Sequence, residues 1–170
     1  MTQQAADPFY WNREKFSLIE AEDIYSLFDP DKYGFKPKAP HTACWKGFIV
    51  FLAVRQERLY FESLWINCEG DNYPTINGVE AVDEGNFHIY EKIRLPLDYT
   101  GRITIGKDSV KELEGGAFIG RFALRDIRKL SFKNGLLQNW EQEEWWHGWP
   151  REEEENLAGL PKHPVTSDCR

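Results

Sequence analysis

His41-Thr-Ala-Cys44 places an imidazole and a thiol three residues apart, and Cys68 adds a second thiol. These side chains could ligate a metal or form a nucleophile with its base. Zinc sites generally combine two such pairs at tight spacing. The second pair is missing here, so no metal is expected. A Cys44–His41 dyad would need both groups side by side, with a third group orienting the base. Residues three apart on entry to a strand point to opposite sides, which argues against it. Glu62, Glu91 and Asp98 offer carboxylates, and two of them flanking a cleft would suit glycoside hydrolysis. Carboxylates on strands commonly face water, so a carboxylate-dependent hydrolase ranks third among the readings. Gly115-Gly116 with Gly120 has the glycines of a phosphate loop but lacks the following Lys-Ser/Thr pair. No catalytic residue and no cofactor are assigned.

The cluster that composition does not explain lies near the C-terminus. Trp140, Trp145, Trp146 and Trp149 fall within ten residues, interleaved with Glu141, Glu143 and Glu144 and followed by Glu152 through Glu155. Tryptophans dominate the energetics of many protein interfaces, and the carboxylates would aim such a surface at a basic partner. The bland reading is that the tryptophans pin the end of the chain to the domain. The functional reading assigns Trp140, Trp145, Trp146, Trp149, Glu143, Glu144, Glu152 and Glu153 to partner binding.

The 170 residues suit a single domain, large enough to bury a core without disulfides. Seven tryptophans are unusual at this length, and they suit either a β core or a binding surface. The net charge of −7 is uneven: residues 138–170 carry −5 and residues 1–137 carry −2. An acidic chain is poorly suited to nucleic acid, whose binding depends on Lys and Arg neutralising phosphates. Cys44, Cys68 and Cys169 are an odd number. A hairpin brings Cys44 and Cys68 near one another, which allows a disulfide, while a reducing compartment leaves both as free thiols. The N-terminus has neither the basic nor the apolar region of a signal peptide. No apolar run reaches the roughly 18 residues of a membrane helix. The expectation is a cytoplasmic protein.

The elements that must position these groups read mainly as strands. Residues 44–54 and 58–66 are two apolar, β-branched and aromatic runs around Arg55-Gln-Glu-Arg58. They predict a long hairpin covered on both faces. Asn77-Gly78 and Asn134-Gly135 predict tight hairpin turns. Residues 87–95 alternate, 102–105 form a short strand, 118–124 another, and 126–133 pair with 136–140. Ser17-Leu-Ile-Glu20 matches a capping box. Leu18, Ala21, Tyr25 and Phe28 follow at helical spacing, which predicts a helix over about 17–28. Pro150 followed by carboxylates favours a short helix, and 158–170 reads as a tail.

Thr42-Ala-Cys-Trp-Lys-Gly-Phe48, Leu97-Asp-Tyr-Thr-Gly-Arg-Ile-Thr-Ile-Gly106 and Leu130-Ser-Phe-Lys-Asn-Gly-Leu136 resemble a pattern in a family of small uncharacterised bacterial β-rich proteins. The resemblance covers about residues 42–137. It implies a bacterial β-rich domain and carries no activity. In size, acidity and lack of catalytic residues the chain is also similar in kind to immunity proteins, which neutralise toxins.

The expected architecture is mainly β: a curved antiparallel sheet, sandwich or partly open barrel of seven or eight strands with one N-terminal helix. Residues 1–140 would form the domain and 141–170 an acidic, Trp-rich segment. The leading function is non-enzymatic protein binding, most concretely inhibition of a basic toxin. The alternative is a small-ligand binder with an aromatic cavity lined by Trp45, Phe51, Tyr60 and Trp65.

Overall fold

The computed structural model describes residues 4–109 and 124–144. Ten strands run β1 (Pro8–Trp11), β2 (Glu14–Ala21), β3 (Phe48–Arg55), β4 (Arg58–Ile66), β5 (Val82–Asp83), β6 (His88–Tyr90), β7 (Leu95–Pro96), β8 (Gly101–Ser109), β9 (Leu124–Lys133) and β10 (Leu136–Glu144). They form one sheet in the order β10-β9-β8-β2-β1-β3-β4-β6-β5, and β10 also pairs with β4. That last pairing closes seven strands into a barrel. β1 and β3 run parallel, with Phe9 opposite Leu52. The short strands β6 and β7 take up the rest of the outer edge of β4.

Closure follows from local chemistry. Ile19, Glu62 and Gln138 are extra residues at register shifts in β2, β4 and β10. Such bulges bend a strand and increase its twist, which lets a sheet curl on itself. The tight turns carry paired positive φ angles: Asn77-Gly78 at 49° and 76°, and Asn134-Gly135 at 50° and 78°. Gln56-Glu57 and Asn12-Arg13 adopt the same conformation without glycine. Gly135 is also woven into the closure. Its N–H donates to the Tyr99 carbonyl at 2.8 Å, and its carbonyl accepts from Leu59 N–H at 2.9 Å.

The inward residues form one buried cluster. Phe9, Leu52, Leu59, Leu64, Ile66, Tyr90, Ile103, Ile105 and Leu130 are fully inaccessible. On β3 the inward set is Phe48, Val50, Leu52 and Val54. Among the described residues no helix is long and apolar enough to cross a membrane.

The helix expected over 17–28 is instead a strand followed by a turn. Ser17, meant to cap that helix, pairs with Pro8 on one side and Gly106 on the other. β1 pairs with the first half of β2, Glu14–Ser17, and β8 with the second, Ser17–Ala21, and these long-range bonds outweigh a local capping signal. What remains is a 3-10 helix at Ile24–Ser26, capped by the Asp23 carboxylate, which accepts from Ser26 N–H at 3.2 Å. A second 3-10 helix spans Pro30–Tyr33.

The strand expected over 87–95 is divided, because Lys92 and Arg94 take φ of 56° and 49° between β6 and β7. The strand expected over 102–105 extends to Ser109. Trp45 belongs to the turn before β3 and is 63% exposed, so it is not a core residue. Residues 118–123, the helix expected after Pro150 and the tail at 158–170 lie outside the described residues.

Candidate functional site

β10 brings Trp140, one residue of the sequence-predicted tryptophan surface, into the barrel wall. Its pairing with β4 is confined to Leu136 opposite Arg58, and it then continues along β9 to Glu144. From Asn139 to Glu144 the edge away from β9 meets no strand among the described residues. Unpaired strand edges are templates for another chain.

The register puts Leu137 opposite Phe132, Trp140 opposite Leu130, Gln142 opposite Arg128 and Glu144 opposite Asp126. Since Phe132 and Leu130 are core, Trp140 and Gln142 share the inner face. There Trp140 meets Trp11 edge-on, with ring centroids 5.0 Å apart. The Arg128 guanidinium lies 5.5 Å from the Trp140 ring, 5.4 Å from Trp11 and 4.9 Å from Phe16. Cation–π attraction of this kind strengthens when the cation is desolvated.

Arg128 is held in turn by Asp126 through two bonds of 2.9 and 2.8 Å. Lys107 pairs with Glu14 and lies 3.6 Å from Asp126, and Gln142 donates to Asp126 at 3.5 Å. The bond from Arg128 holds the Asp126 carboxyl below its ordinary pKa against the opposing effect of burial. Asp108 also lies 4.0 Å from Lys107, so among the described residues two cations face three carboxylates. The network holds Arg128 against Trp140, which remains 47% exposed.

Beside Trp140 a cleft of about 610 Å³ opens between β10, the β3–β4 turn and the end of β1. Its walls combine Trp11, Val54 and Leu137 with the amides of Asn12, Gln56, Gln138 and Asn139 and the carboxylate of Glu57. An apolar floor with several amide donors and acceptors suits contact with a polypeptide backbone.

Of the predicted partner surface, Trp140 and Glu143 are thus placed on one strand. Glu143 pairs with Lys129 at 3.0 Å. Glu144 ends the strand, while Trp145, Trp146, Trp149, Glu152 and Glu153 lie outside the described residues. The four aromatics of the alternative reading do not converge on the interior. Phe51 and Trp65 touch on the outer face at 5.1 Å, Tyr60 falls between the inward Leu59 and Phe61, and Trp45 is exposed.

The three carboxylates weighed for hydrolysis are engaged separately or exposed. Glu62 pairs with Arg55 at 2.7 Å, Asp98 with Arg58 at 3.3 Å, and Glu91 is exposed. Cys44 and Cys68 are free and buried, and burial pushes both thiols up. His41 stacks edge-on with Phe87. Among the described residues no group of three or more His, Cys, Asp or Glu is placed to hold a metal.

Sequence reasoning missed Arg128, Asp126, Lys107, Glu14 and Trp11. Alternation over 126–132 carried a usable signal, since it puts Asp126 and Arg128 on the same face as Leu130 and Phe132. Charge on an apolar face calls for a partner. In comparisons with known proteins, no family model, curated protein or solved structure matches the chain.

Proposed function

We propose that this chain is a non-enzymatic protein-binding domain whose partner docks on β10, in its most specific form a bacterial, cytoplasmic immunity protein that blocks a basic toxin. The observation that carries the reading is the edge of β10 that meets no strand among the described residues, with the half-exposed, pre-positioned Trp140 beside it. A partner strand would add main-chain hydrogen bonds along that edge, with side-chain pockets supplying specificity. An aromatic ring already held by its neighbours loses little entropy on binding, which favours affinity. β10 carries Glu141, Glu143 and Glu144 and no basic residue, and the acidic, Trp-rich sequence continues beyond it. That bias matches a basic partner and raises the encounter rate.

The test is capture with full-length protein as bait, followed by kinetics on the purified partner. Trp140→Ala should raise the dissociation rate by tenfold or more, as loss of an anchor does. Replacing Glu141 and Glu152 through Glu155 with Gln should slow association and flatten its dependence on salt. Thermal melts of each variant separate lost binding from lost folding. A partner bound equally by the native and Trp140→Ala proteins would place the interface elsewhere and end this reading.

A further inference from the structure

The opposite end of the barrel carries a second feature that protein binding on β10 does not use. The start of β3 and the 3-10 helix Ile24–Ser26 border a groove of about 430 Å³, a size typical of small-molecule sites, which run from about 300 to 1,000 Å³. Its wall includes Leu18, Leu27, Phe28, Phe48, Val50 and Leu52, all members of the core or packed on it. Here the apolar interior reaches the surface. Ile24 and Tyr25 stand over the opening at 44% and 66% exposure, an arrangement that burying an apolar body would stabilise.

Charge at this groove is confined to its rim, where Asp7 and Lys46 form an ion pair. The Asp7 carboxylate is committed, because it also accepts from Val50 N–H at 2.8 Å and is only 12% exposed. Lys46 differs: its side chain is 39% exposed, and its ammonium, which has three donors, pairs with Asp7 and lies 4.8 Å from the centre of the Phe48 ring. A contiguous depression of about 740 Å³ shares Asp7, Leu18, Ile24 and Lys46 and adds Lys15 and Trp45. The depression is thus lined by Lys15 and Lys46 against Asp7, while the charged lining of the groove itself is the Lys46–Asp7 pair.

We propose that this groove binds a single small amphipathic carboxylate, with its hydrocarbon body against Leu18, Leu27, Phe48 and Val50 and its head group on Lys46. The apolar wall selects the body, and the exposed charge of Lys46 selects the anion over a neutral alcohol of equal length.

The experiment is calorimetric titration of the full-length protein with octanoate, decanoate, dodecanoate and decanol below their aggregation limits, with backbone amide shifts to locate the site. The expected result is saturable one-to-one binding that tightens about fourfold per methylene until the groove is full. Shifts should centre on Leu18, Ile24, Leu27 and Phe48. Lys46→Gln should weaken decanoate by about tenfold or more, the value of a charge-assisted hydrogen bond, and leave decanol unchanged. Ile24→Glu, an exposed change, should weaken the whole series.

Absence of saturable binding, or shifts confined to the Trp140 cleft, would overturn the site. Equal loss of decanoate and decanol in Lys46→Gln would overturn the head-group assignment. Co-sedimentation with anionic vesicles without decanoate binding would replace a free ligand by a lipid surface and overturn the proposal. Should Lys46→Gln not fold, the chain-length series and the amide shifts of the native protein decide.

Discussion

Gly135→Ala is the sharpest test of how the barrel closes. Gly135 sits at φ +78°, and a Cβ built there would lie 1.9 Å from the Leu97 carbonyl oxygen, a backbone atom that no rotamer change can remove. Two costs are separable. The left-handed conformation alone costs an alanine about 1–2 kcal/mol. Relief of the clash requires the turn to move away from β7. That movement stretches the bond from Gly135 N–H to Tyr99 and the bond from Leu59 N–H to Gly135, at 2.8 and 2.9 Å, each worth about 0.5–1.5 kcal/mol. The total is about 2–5 kcal/mol.

Gly70→Ala supplies the control. Its φ is +77°, and nothing lies within 4 Å of its built Cβ, so it carries the conformational cost alone, about 1–2 kcal/mol. Urea denaturation of both variants gives the two values, and their difference isolates the closure. Equal losses in the two variants would refute the packing of the Asn134-Gly135 turn against Leu97, and with it the closure of β10 on β4.

Two further predictions concern the site. Trp11→Ala should cost about 3–5 kcal/mol as a large core truncation, and Trp45→Ala should stay within about 0.5 kcal/mol as a surface change; urea midpoints of the two variants check the contrast between 5% and 63% exposure. Asp126 has a depressed folded pKa, chiefly through its bond from Arg128, so its stabilisation is fully present above its unfolded value of about 3.9 and is lost as pH falls through the lower folded value. Asp126→Asn should therefore be less stable than the native protein at pH 7, and the gap should narrow in acid below about pH 3.9; a gap independent of pH would mean that packing, not charge, holds the Arg128 cluster.

Much of the fold was legible because its signals are local. The hairpin of β3 and β4 follows from two apolar runs around a polar break, and the second strand begins and ends at Arg58 and Ile66 as expected. Asn77-Gly78 and Asn134-Gly135 are turns because their residues tolerate positive φ whatever surrounds them. The pairing of 126–133 with the residues after Asn134-Gly135 was legible for the same reason. The site was legible in part: the tryptophan signal drew attention to β10, but nothing near Trp140 in sequence announces Trp11 or Arg128.

What tertiary structure alone decided is the state of segments with two local solutions. Residues 17–21 carry a helix cap and helical spacing, yet also place Leu18 and Ala21 where a bulged strand packs them on the core. Pairing chose the strand: Ser17 is in register with both β1 and β8, and β8 continues to Ala21. Trp45 continues the alternation of β3 on paper, but the turn before Phe48 turns it out to solvent. The barrel itself is the clearest case. Its closure rests on β10 meeting β4 across 78 residues of sequence, at Leu136 and Arg58. A contact of that separation leaves no periodicity in either strand, so it is fixed only when bulges, turns and the shared core bend the whole sheet around.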